Sequence, residues 1–77
     1  MSLAPPEEFT EGNALVRVYA RPIAVPGVSG WVGVWSIYRL PRGPSPPVRV
    51  GCTELEATEA VAIGMARMIA CAIALSL

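Results

Sequence analysis

Histidine, lysine, aspartate and glutamine are absent from this 77-residue chain. Without histidine there is no imidazole base and none of the commonest metal ligand. Without lysine there is no amine to form a Schiff base. The remaining acids are Glu7, Glu8, Glu11, Glu54, Glu56 and Glu59. They fall in an N-terminal segment and near the start of a C-terminal helix, in no arrangement that resembles a site. Neither an enzyme nor a metal or cofactor site is expected.

Charge is scarce as well. Charged residues make up 16% of the chain, and six arginines balance six glutamates to a net charge of zero. That balance supplies no general attraction to nucleic acid or to a membrane. Hydrophobic residues make up 53%, which is high for a chain close to the size where one core barely suffices. Part of that apolar content is expected to face a second copy or a protein partner. Cys52 and Cys71 lie nineteen residues apart, which is no metal-ligand spacing. Both read as small buried hydrophobes, with a disulfide between them left open. No basic region followed by an apolar run opens the chain, so no secretory leader is expected and a cytoplasmic location is.

What is present is organised around the C-terminal stretch, residues 58–77, which is long and free of proline. Thr58 suits an N-cap, with Glu59 in the first turn where the helix dipole favours a negative charge. A capping box on Thr53 and Glu56 is the alternative start. At 100° per residue, Val61, Met65, Met68, Ile69, Ala72, Ile73 and Leu75 form an arc broad enough to cover a small sheet, and they are expected to face it. The other side carries Ala60, Gly64, Arg67, Cys71 and Ala74. Those small residues make either a plain Ala-rich exposed face or a surface that a second helix can approach closely. A membrane span is not expected: residues 60–77 would reach about 27 Å as a helix, but Arg67 near the middle costs at least about 2.5 kcal/mol on insertion.

Ahead of the helix the pattern is that of strands. Residues 1–12, with Pro5-Pro6 and three glutamates, read as a disordered tail, and residues 13–77 as a single domain. In residues 14–21, Val16, Val18 and Ala20 alternate with Arg17, Tyr19 and Arg21, the period of a half-buried strand. Pro22 and Pro26 limit how far that strand can be paired on both sides, so its end is expected to be frayed or at an edge. Residues 31–40 form a second strand with two apolar faces, Trp31, Gly33, Trp35 and Ile37 on one and Val32, Val34, Ser36 and Tyr38 on the other. Trp35 and Ile37 are expected toward the helix, with Gly33 leaving room for it. After a proline-rich loop at residues 41–47, Val48, Val50 and Cys52 are expected to point inward from a third strand. The fold expected is therefore α+β: a three-stranded antiparallel meander with one C-terminal helix packed on one face, in the order β-β-β-α.

The strand at residues 31–39, the Pro/Gly loop, the valine strand ending in Gly51 and Thr58-Glu59-Ala60 opening an Ala-rich helix resemble small uncharacterised bacterial domains of β-β-β-α type. That layout is similar to the double-stranded-RNA-binding-like fold and to the N-terminal domain of HicB-type antitoxins. The resemblance implies a fold and a bacterial context, and no function.

Two functions are open on the residues themselves. The first is an interaction module, a homo-oligomer or a subunit that binds another protein, using Val32, Val34 and Tyr38 on the sheet and Ala60, Gly64, Arg67 and Cys71 on the helix. The second is nucleic-acid binding through Arg17, Tyr19, Arg21 and Arg49, with arginine meeting phosphate or guanine and tyrosine stacking on unpaired bases. The neutral charge weighs against the second.

Overall fold

The alternation of valine and arginine after Ala14 builds the central hairpin. In the structure, a computed structural model that describes residues 3–77, strand β2 (Ala14–Val25) pairs antiparallel with β3 (Val28–Arg39) along the full length of both. Pro26 and Gly27 turn the chain between them, with Gly27 at φ +81° as the third residue of a type II turn requires. Strand β4 (Arg49–Cys52) pairs with the middle of β3, and helix α1 (Glu59–Leu75) lies across β2 and β3. Thr58 is the N-cap: its side chain accepts from the backbone N–H of Val61 at 3.2 Å, and Glu59 occupies the first turn. The architecture is α+β in two layers, one antiparallel sheet under one C-terminal helix.

A fourth strand corrects the expectation of a disordered tail for residues 7–11, while residues 1–2 of that tail lie outside the described residues. Strand β1 (Glu7–Glu11) pairs with the first half of β2, giving the sheet order β1-β2-β3-β4. The physical reason lies in two residues. Phe9 opposes Val16 and packs against the core, while Gly12, at φ +60°, makes the tight turn into β2 that a side chain would resist. Glutamates on either side of Phe9 hid a strand inside a polar composition.

Trp35 and Ile37 face the helix as expected, with Val16 and Val18 beside them, and Gly33 leaves the room. A Cβ on Gly33 would collide with the Ala62 carbonyl oxygen and lie 2.8 Å from the Ala66 Cβ. The helix approaches this closely because its buried stripe is small: Ala62, Ala66, Ala70 and Ala74, four residues apart, with Ile63 alongside. That reverses the expected helix face. Ile69 and Ile73 do pack against the core, but Val61, Met68 and Leu75 are 48%, 62% and 66% exposed. The bulk of the core comes from the sheet, so the layer above it has to be thin.

Strand β4 is also turned over relative to expectation. Gly51 opposes Trp35 and lies on the helix side, where the indole atoms Cε2 and Cη2 would be 2.8 Å from any Cβ placed there. With the tryptophan filling that slot, Val50 and Cys52 point to the uncovered face, and Val50 is 61% exposed. Val48, just before the strand, does pack against the core. Beyond Cys52 the pairing is kept by Thr53, whose buried hydroxyl accepts from the Gly33 N–H at 2.9 Å, and by the two hydrogen bonds between Trp31 and Glu56. Among the described residues, no helix is long and apolar enough to cross a membrane.

Gly33→Ala is expected to lower stability by about 1–3 kcal/mol, the usual cost of overpacking, because the backbone of α1 itself must move. Urea unfolding followed by tryptophan fluorescence measures this, and an unchanged midpoint would show that the helix is not held against β3.

Candidate functional site

With α1 on one face, no helix or strand among the described residues covers the other face of the sheet. Strand register fixes its membership. Leu15, Arg17, Tyr19, Arg21 and Ile23 of β2 stand opposite Tyr38, Ser36, Val34, Val32 and Gly30 of β3, while Val50 and Cys52 of β4 complete the far side. Val32, Val34 and Tyr38, expected in one patch, are brought together, each half-buried. The face has two unlike halves. Toward β4 it is mostly apolar, with Val32, Val34, Tyr38, Val50 and Cys52 around Ser36; toward β1 it carries Arg17 and Arg21 among Leu15, Tyr19 and Ile23, with Glu8 next to Arg17.

Arg49 does not join Arg17, Tyr19 and Arg21. It opposes Ile37, which puts it on the helix side, and its guanidinium donates to the Val48 carbonyl at 2.9 Å. The same inversion of β4 that moves Val50 outward removes this arginine from the expected nucleic-acid surface. A shallow depression of about 290 Å³ remains, bordered by Pro6, Arg17, Tyr19, Ser36 and Tyr38. The Tyr38 ring is covered from the end of the sheet by Arg42, whose guanidinium carbon stands 4.0 Å from the ring centre. Such a contact is worth about 0.5–1 kcal/mol at an exposed site. Arg42 sits in the proline-rich loop, and nothing in the local sequence signals that the loop folds back.

The helix residues expected at a self-association surface divide. Arg67 reaches across to β1 and pairs with Glu7, both about half exposed, so the pair adds little stability. Ala60 is exposed, Gly64 and Cys71 half-buried, and a Cβ on Gly64 would meet nothing within 4 Å. These small residues are not the ones against the sheet; they border the outward side of α1. Sequence left these small residues as either a plain exposed face or an approach surface; the small-residue stripe that allows close approach within this chain is the one from Ala62 to Ala74.

Both cysteines are free. Partial burial pushes the Cys71 thiol up from its ordinary value, the Glu11 carboxylate adds to the rise, and Arg67 acts in the opposite sense. Among the described residues no group of three or more cysteine, aspartate or glutamate side chains could hold a metal ion. No protein-family model, curated protein or solved structure matches this chain.

The two thiols should be chemically distinct. At high dilution near pH 8, iodoacetamide is expected to modify exposed Cys52 several-fold faster than Cys71, because a raised pKa leaves less thiolate. The gap should narrow as pH rises through the Cys71 pKa. Peptide mass spectrometry reads both sites, and equal rates at pH 8 would contradict the placement of Cys71.

Proposed function

We propose that this protein is a non-enzymatic interaction module that self-associates, two copies packing through the open faces of their sheets. One observation carries this reading: half of a four-stranded sheet face, from Val32 to Cys52, is apolar apart from Ser36, and no strand or helix among the described residues lies over it. An antiparallel sheet tolerates one solvated face when that face alternates to polar residues. Here the β3–β4 half of the second face is valine, tyrosine and cysteine around the one hydroxyl of Ser36. The molecule measures 42 × 22 × 17 Å, and its broad side is large enough for the roughly 800 Å² per partner that a standard stable interface covers. A two-fold axis near β3 would set apolar half against apolar half and leave Arg17 and Arg21 as a charged rim. The aligned packing of two sheets at about 10 Å separation is a common solution for such faces. Two free thiols suit a reducing, cytoplasmic setting.

A second reading has its own observation. Arg17, Tyr19 and Arg21 do share the open face, and Tyr38 lies across the depression from them. That combination suits unpaired bases, with guanidinium groups on phosphate and a tyrosine ring for stacking. The absence of net charge and the loss of Arg49 to the other side make it the weaker reading.

Molar mass by light scattering across a concentration series separates the two. Val34→Glu places a charge at the centre of the apolar half and is expected to shift the sheet-paired species to lower mass. Cys52, on the same face, should become more slowly alkylated as wild-type concentration rises, and Val34→Glu should remove that protection. If the mass and the Cys52 rate are the same in both proteins, the sheet interface is wrong. Arg17→Glu with Arg21→Glu should leave self-association intact within a few-fold; abolition of binding to a mixed single-stranded DNA and RNA pool would instead favour the second reading.

A further inference from the structure

The outward side of α1 goes beyond that interface. Because the alanine stripe faces the sheet, Val61, Met65, Met68, Ala72 and Leu75 run along the opposite side of the helix at spacings of four, three, four and three. That is a 3.5-residue period, the seam of a coiled coil, and it calls for another helix rather than a strand or a loop. A solvated helix face normally holds several charges. Between Glu59 and Leu75 only Glu59 and Arg67 are charged, and both are engaged within the chain, Glu59 accepting from the Ala4 N–H at 3.1 Å and Arg67 pairing with Glu7.

We infer that this seam is a second self-association surface, on which α1 pairs antiparallel with α1 of another copy. Three observations select a second copy as the occupant. The spacing from Val61 to Ala72, four-three-four, reads the same in both directions, so a two-fold axis between residues 66 and 67 sets the seam against itself. In that register Val61 meets Ala72, large against small, and Met65 meets Met68, a side chain that adapts its shape to its neighbours. The seam carries no charge that would require an oppositely charged partner. Gly64 borders it with open space where a Cβ would stand, and exposed Ala60 is small, so two helix axes can come to the short end of the usual 8–10 Å range.

The seam is narrow: a helix of this length is about 25 Å long and about 10 Å across, well short of a standard interface on its own. It therefore forms at higher concentration than the sheet contact and dissociates first on dilution. The two surfaces lie on opposite sides of a two-layer molecule. Each pairs with its own kind, so using both gives an open, alternating chain of copies rather than a closed dimer.

The test combines two substitutions on opposite sides. Met68 is 62% exposed, so Met68→Glu is expected to leave the fold intact, which circular dichroism checks. At high concentration wild type should exceed a dimer, Met68→Glu should stop at a dimer, Val34→Glu should give only a dilution-sensitive dimer, and the double variant should be monomeric. If Met68→Glu changes the mass of neither wild type nor the Val34→Glu protein, the seam is refuted whatever becomes of the sheet interface. A wild-type dimer that Met68→Glu dissociates and Val34→Glu does not would support the seam and sink the sheet reading. Orientation has its own readout. With Cys52 and Cys71 replaced by serine, an equal mixture of Met65→Cys and Met68→Cys proteins under mild oxidation should cross-link mainly as the mixed pair. Cross-linking mainly within each variant would overturn the antiparallel register.

Discussion

The close seat of α1 on β3 is the constraint on which the rest of this molecule depends. Gly33 has no side chain where the Ala62 carbonyl passes, and the alanines at 62, 66, 70 and 74 let the helix backbone come down onto Trp35, Ile37, Val16 and Val18. A larger residue at any of these points would lift the helix and open a void in a core that is only one layer of side chains deep. Such a core has little to spare, since a chain of this size buries a modest fraction of its surface. The Trp35 indole nitrogen is buried without a hydrogen-bond partner among the described residues, at a cost of about 1–3 kcal/mol. Packing of the ring over Gly51 has to offset that cost.

The division of volume between the layers also decides the outside of the molecule. Once the sheet supplies the bulk and the helix supplies alanine, the helix's own bulky residues can only point away. Val61, Met68 and Leu75 are exposed for this reason. On the sheet, Trp35 fills the helix-side slot of β4, which turns Val50 and Cys52 outward to lie beside Val34. Two apolar surfaces on opposite sides of a thin molecule are thus consequences of one packing choice, and burial against further copies would remove both from water.

Much of this was legible in the chain. Valine–arginine alternation named the strands and their inward residues in β2, the threonine–glutamate pair named the helix start, and Gly33 was readable as space for a helix. Three features were not. Strand β1 was masked because glutamates flank the single aromatic that anchors it, and composition outweighs one Phe9 in any window. The helix face was misread because hydrophobic periodicity assumes that the bulkiest side is the buried one, whereas here the buried side is the one that permits contact. The phase of β4 was misread because alternation in Val48, Val50 and Cys52 says which residues share a face but not which face is covered.

The chain by itself determined the α+β class, the existence of the central hairpin and the helix, and the poverty of catalytic residue types. Each of these follows from local periodicity, turn chemistry or composition, which a sequence carries in full. Which side of α1 and of β4 meets the core was decided only in the tertiary structure. That choice is a matter of volume: Trp35 and Gly51 compete for one slot, Gly33 and Ala62 share another, and the sum of side-chain sizes across two layers is a property of no single segment.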